Sequence, residues 1–144
     1  MTKTVLHLDL DTFYVSVERL LDDRLQNRAL LVGGTSDRGV VAACSYETRA
    51  FGVHSGMSMK MARQLCPEAI IIRGNAGTYT KYSNDVTDII KADVPLFEKS
   101  SIDEFYADLT GMDRFFWLLQ IRFRIAQKDY QGNRIANFLR TFGQ

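Results

Sequence analysis

Leu6, Leu8 and Leu10 alternate with His7, Asp9 and Asp11 at the head of the chain, the period-two pattern of a half-buried β-strand. One face of that strand buries three leucines; the other presents a histidine and two carboxylates in a row. Asp11 or Thr12 stands where it can cap a following helix, in which Phe13, Val17 and Leu20 or Leu21 share a face. Residues 29–32 form a short apolar run, and Gly33-Gly34 with the polar TSDRG stretch predicts a hairpin connection to a second strand over residues 40–44. YETRAF, residues 46–51, fits a short helix ended by Gly52, with Tyr46 and Arg49 three apart on one side. His54, Gly56 and Ser58 mark a turn region.

The pattern continues with an amphipathic helix over residues 59–65, stopped at Cys66-Pro67, whose neighbourhood holds three methionines, Met57, Met59 and Met61, read as core filler. An apolar strand follows at 69–72. Tyr79, Tyr82, Val86 and Ile89 or Ile90 then recur at helical spacing over 78–92, with Asn75 as a cap and Pro95 as the end. Residues 97–109 read as a hairpin with SIDE, Ser101 to Glu104, at its tip. Ser101 and Glu104 also have capping-box spacing, but the β-leaning residues on both sides favour the hairpin. Beyond Asp113 the signals conflict: RFFWLL suggests a helix, IRFRI alternates like a strand, and 128–144 has little periodicity. The order β-α-β-β-α-α-β-α-β-β implies an α+β fold, a sheet with helices on one face and a smaller insert in the middle.

Composition changes this picture little. With 144 residues, 46% hydrophobic, 24% charged and a net charge of +1, the chain suits one globular domain or two small ones. Charge is unevenly placed: residues 114–144 hold six Lys or Arg against Asp129 alone, a solvated helix face or a segment that lies on nucleic acid. No apolar run reaches membrane-spanning length, and Cys44 and Cys66 read as buried small hydrophobes in a reducing compartment, so a cytoplasmic protein without membrane association is expected.

The candidate chemistry lies in two acidic stretches. Asp9 and Asp11 end the first strand, and Asp103 and Glu104 sit between Ile102 and Phe105. Like charges placed together cost energy unless a cation relieves them, and hard divalent ions take carboxylate oxygens together with substrate phosphates. Adjacent strand residues point to opposite faces, so the use of both Asp103 and Glu104 demands a tight turn or bulge at that point. The start of the first helix offers free N–H groups beside the acids, a place suited to phosphate. From spacing alone, Tyr46 and Arg49 read as a surface stack.

HLDLDTFYVSVE, CSYETRAFGVHSGM and PLFEKSSIDEFYADLTG, in this order from about Val5 to Met112, resemble the N-terminal part of a Y-family translesion DNA polymerase of the DNA polymerase IV type. The resemblance implies a palm over 1–10 and 75–144 with a small α/β fingers insert over 11–74, and a ferredoxin-like palm sheet. It implies error-prone DNA-directed synthesis that bypasses damage, by two-metal nucleotidyl transfer from a dNTP to a primer 3′-hydroxyl, with two Mg2+ ions replaceable by Mn2+. Asp9, Asp103 and Glu104 would be the catalytic metal ligands, with the Leu10 carbonyl on the nucleotide-side metal. Phe13 and Tyr14 would lie under the incoming sugar, Tyr14 as steric gate; Tyr46 and Arg49 would bind the triphosphate; Ala42 and Cys44 would cover the nascent base pair. Primer–template DNA is the implied partner, with a sliding clamp reached through a C-terminal region absent from these residues.

Departures accompany the match. Ala50 stands where relatives commonly carry a basic residue and Ser58 where many carry proline. Residues 113–144 start in register with the family and drift away, without its palm lysine, thumb or little finger, so a truncated fragment, inactive or weakly active alone, is expected. Two alternatives differ in kind. One is a nucleic-acid-binding remnant without turnover. The other is a haloacid-dehalogenase-like phosphatase on a Rossmann-like scaffold, with Asp9 as nucleophile and Asp11 as acid.

Overall fold

The computed structural model describes residues 5–94, 96–111 and 139–143. They fall into two compact units, one from the chain's first eleven residues together with those from Gly77 onward, the other Thr12–Ala76. The elements are β1 (Val5–Leu10), α1 (Phe13–Leu21), a 3-10 turn (Asp23–Leu25), β2 (Leu30–Gly33), β3 (Val41–Cys44), α2 (Tyr46–Arg49), α3 (Met59–Leu65), β4 (Ile70–Ile72), α4 (Ala76–Asp93), β5 (Phe97–Ser101), β6 (Glu104–Asp108) and β7 (Leu139–Gly143). The α+β class and the order of elements agree with the periodicity of the sequence.

In the first unit the sheet runs β5-β6-β1-β7, antiparallel throughout. The leucines of β1 behave as their alternation requires. Leu6, Leu8 and Leu10 are buried with Phe105 and Ala107 of β6, and Leu8 faces Phe105 across the ladder. Each buried Leu or Phe side chain contributes about 1.5–3 kcal/mol by leaving water. Helix α4 is tied to this apolar side: Lys99, which pairs with Phe105 in register, reaches the hydroxyls of Ser83 and Thr87 on α4. The helix begins directly after Asn75; Pro95 lies outside the described residues.

Strand β7 corrects the reading of 128–144 as patternless. Its pairing with β1 is made by backbone hydrogen bonds, Leu6 to Leu10 against Gly143 to Leu139, a tertiary partnership that needs no alternation. The helix and strand expected within 113–127 lie outside the described residues. The antiparallel neighbours on both sides of β1 also overturn the phosphatase alternative, because that scaffold requires parallel strands and βαβ crossovers.

In the second unit β2 is central, antiparallel to β3 and parallel to β4. Leu31, Val41, Cys44, Val53, Met59, Ala62 and Cys66 form its core, with Met57 packed against it. The β2–β3 connection needs glycine: a Cβ on Gly33 would collide with the carbonyl oxygen of Val40. Arg63 of α3 ties this loop down, donating to Asp37 at 2.8 Å and to the Thr35 carbonyl.

Three local expectations are corrected. Thr12 precedes α1 in a left-handed conformation and makes no side-chain cap; its hydroxyl instead meets that of Ser16 at 3.1 Å. On α1, Val15 is buried with Phe13 and Val17, while Leu21 is 55% exposed. Of the three methionines Met59 is fully buried but Met61 is 47% exposed, so Met61 fills no core. Ser58, at the position of the family's proline, caps α3 by accepting from the Met61 N–H.

Candidate active site

The hairpin β5–β6 meets the demand set by two adjacent acids. Residues Ile102 and Asp103 form its turn, Glu104 opens β6, and the register shifts between Lys99 and Ser101. Asp103 is thereby freed from strict alternation, and Glu104 sits directly opposite Asp9 on β1. The Leu10 N–H donates to the Asp103 carbonyl at 2.9 Å, which binds the turn to the end of β1. One oxygen from each of Asp9, Asp103 and Glu104 lies within 4.8 Å of the others. All three residues are partly exposed.

Hydroxyls orient the acids. Ser101 donates to Asp103 at 3.0 Å and Ser100 to Glu104 at 3.4 Å. His7 stacks on Tyr106, its partner across the ladder, with ring centres 4.5 Å apart, and holds Nε2 4.0 Å from Glu104 Oε2. Burial, then the charges of Asp103 and Glu104, push the Asp9 carboxyl above its ordinary value, against a smaller opposing effect of His7. An array of three carboxylate oxygens whose mutual repulsion is already felt at Asp9 fits a hard divalent cation in donor type and in charge. Asp11, past the end of β1, stands outside this trio.

The remaining sequence candidates lie in the other unit. Ser45, fully buried, caps α2 by accepting from the Thr48 N–H, and its hydroxyl also accepts from the Leu30 N–H at 3.0 Å. This fixes a helix of four residues that is too short to be stable alone. On it the Arg49 guanidinium lies 4.7 Å from the centre of the Tyr46 ring, so the pair does share a face, as their spacing requires. Both side chains are exposed. Phe13 is buried and Tyr14 partly exposed, with rings 5.7 Å apart. Ala42 is exposed, but Cys44 is 1% exposed, with its thiol directed at the Val53 carbonyl. Cys44 is therefore a core residue with no surface to lay over a base pair. Cys66 is equally buried, and both cysteines match their reading as small core hydrophobes.

Sequence reasoning missed Ser83. It is fully buried on α4 and donates to the Ile102 carbonyl at 2.5 Å, beside Asp103. One signal was present: Ser83 continues the stripe of Tyr79, Val86 and Ile90, a hydroxyl where the helical period calls for an apolar residue.

The described residues thus combine a mixed α+β fold with three carboxylates that converge from two strands and the turn between them, a donor set suited to a hard divalent cation. The model of the impB/mucB/samB family matches residues 8–137. The chain belongs to that family. It is 43% identical over 114 residues to DNA polymerase IV of Treponema denticola, covering 79% of this chain and 29% of that one. It is 45% identical over 112 residues to DNA polymerase IV of Dehalococcoides mccartyi, covering 77% and 29%. DinB from Sulfolobus solfataricus superposes with a TM-score of 0.82 at 28% identity, over 98% of this chain and 42% of that one. An insertion ternary complex of Dbh DNA polymerase gives 0.81 at 28% identity, over 98% and 42%. The chain thus spans under a third of the length of these curated relatives.

No described helix is long and apolar enough to cross a membrane.

Proposed function

We propose that the chain carries the catalytic portion of a translesion DNA polymerase, the unit of β1, α4 and β5–β7 as palm and Thr12–Ala76 as fingers. The convergence of Asp9, Asp103 and Glu104 within 4.8 Å supports this reading above all, and DNA polymerase IV relatives support the reaction class. The primer 3′-hydroxyl gives up its proton to solvent, its oxygen bonds to the α-phosphorus of a dNTP, the bond from that phosphorus to the bridging oxygen breaks, and pyrophosphate leaves.

Asp9 and Asp103 would hold two divalent ions, Mg2+ or Mn2+, with Glu104 completing the primer-side position and the Leu10 carbonyl the nucleotide side. Bound ions supply charge neutralisation for the triphosphate and a more acidic primer hydroxyl. The protein's own part is positioning. Ser100 and Ser101 orient two of the carboxylates. Arg49, with Tyr46 stacked against it, is suited to a bidentate grip on phosphate oxygens. Phe13 and Tyr14 offer a ring pair for the sugar, Tyr14 excluding a 2′-hydroxyl. Ala42 is small and exposed, as a surface over a nascent base pair needs to be.

The test is binding of a fluorescent dNTP analogue with and without Mn2+. The parent chain is expected to bind with metal, and an Asp103→Asn, Glu104→Gln double variant to lose the metal-dependent part. Equal metal-dependent binding by both overturns the assignment.

A further inference from the structure

The hairpin tip that carries Asp103 is held from behind. Lys99 Nζ donates to Ser83 Oγ at 2.6 Å and to Thr87 Oγ1 at 3.2 Å, with the ammonium 5.6 Å from the centre of the Phe105 ring. None of the ion pairs among the described residues involves Lys99; its partners are two hydroxyls and a ring. An ammonium can only donate. Ser83 Oγ therefore accepts from Lys99 and has one hydrogen left to give. That hydrogen goes to the Ile102 carbonyl at 2.5 Å.

The chemistry fixes a direction along the whole chain of groups: ammonium to hydroxyl, hydroxyl to the backbone one residue before Asp103. A hydroxyl polarised by a cation is the better donor onward. Ser83 is fully buried, so water offers no substitute on its side. On the far side of the same turn the Asp103 carbonyl accepts from Leu10. The two-residue turn is thus gripped at both of its carbonyls, Ile102 from α4 and Asp103 from β1.

We propose that Ser83, oriented by Lys99, is a positioning residue that sets the turn presenting Asp103 to the metal site. This deepens the polymerase reading above and rests on it for the identity of the metal ligands. Groups that orient ligands in this way typically contribute about 10–100-fold to metal affinity.

Two readouts on the full chain test it: exchange of backbone amides by NMR in metal-free buffer, and Mn2+ affinity by electron paramagnetic resonance. Ser83→Ala is expected to speed exchange of the Leu10 amide by about 10-fold or more, with β2 amides unchanged, and to weaken Mn2+ binding by about 10-fold or more. Lys99→Met acts in the same direction. Thr87→Val, which removes the other hydroxyl from Lys99 but spares the Ser83–Ile102 bond, leaves both readouts as in the parent. Unchanged Leu10 exchange in Ser83→Ala, or faster exchange in both units alike, overturns the proposal. Mn2+ binding that survives Asp103→Asn would instead contradict the metal assignment, while amide exchange still decides the role of Ser83.

Discussion

The backbone N–H of Leu10 donates to the carbonyl of Asp103 at 2.9 Å. This one bond joins the end of β1 to the tip of the β5–β6 hairpin, and it places residues ninety-odd positions apart in sequence on one small acidic surface. Asp9 precedes the donor and Glu104 follows the acceptor, directly opposite each other in the ladder. The site is therefore built by paired strands and the tight turn that joins two of them.

The clustered acids oppose folding when no cation is present. Burial and the charges of Asp103 and Glu104 raise the Asp9 carboxyl above its ordinary value of 3.8. A raised acid binds its proton more tightly in the folded chain, so its neutral form favours folding at low pH. That contribution is lost as pH rises from 3.8 through the raised value. In EDTA at neutral pH, Asp9→Asn is expected to increase stability by on the order of 1 kcal/mol after solvent screening. The gain fades as the medium is acidified toward the ordinary carboxylate range. Thermal melts of both chains across that range check the sign; a parent more stable than Asp9→Asn at neutral pH refutes it.

Ser45 is the hinge of the other unit's geometry. Its buried hydroxyl accepts from both Leu30 and Thr48. Ser45→Ala leaves two backbone donors short of a partner and is expected to cost about 1–3 kcal/mol, read as a lower urea midpoint.

Core and surface leucines separate cleanly. Leu8 is fully buried opposite Phe105, so Leu8→Ala is expected to cost about 2–5 kcal/mol. Leu21, on α1, is 55% exposed, and Leu21→Ala stays within about 0.5 kcal/mol. Chemical denaturation of the two variants side by side is sufficient.

That contrast also marks what the sequence could convey. The alternation at Leu6, Leu8 and Leu10 and the pair Asp103-Glu104 carried the site, because strand period and the need for a turn are local rules. The side of α1 that is buried was less legible: helical spacing admits Leu20 or Leu21 as readily as Val15, and the choice belongs to β2 and β3 packing against it. The inward face of β3 was hidden for the same reason, since a bulge at Val32–Gly33 shifts its pairing and leaves Ala42 exposed between buried Val41 and Cys44. Strand β7 has no local signature at all, being defined by its partner. Ser83 shows the limit most plainly, as its meaning lies in a carbonyl nineteen residues away.

Arg49 is expected to serve the triphosphate. Arg49→Ala weakens dNTP binding by about 10-fold or more, and Arg49→Lys restores only part of it, because an ammonium lacks the planar fork. Tyr46→Phe keeps the stacked ring and changes binding less than Arg49→Ala. Titrations with Mn2+ present give the order; equal affinity for Arg49→Ala and parent excludes this role.

Primer extension addresses the catalytic assignment without intermediaries. The parent chain and the Asp103→Asn, Glu104→Gln double variant are each given a primer–template, deoxynucleotides and Mn2+. Weak, metal-dependent addition of nucleotides by the parent, and none by the variant, is the outcome expected from three carboxylates that form the metal site. Extension by both chains means that the acids are not catalytic, and extension by neither makes these residues a catalytically incomplete fragment.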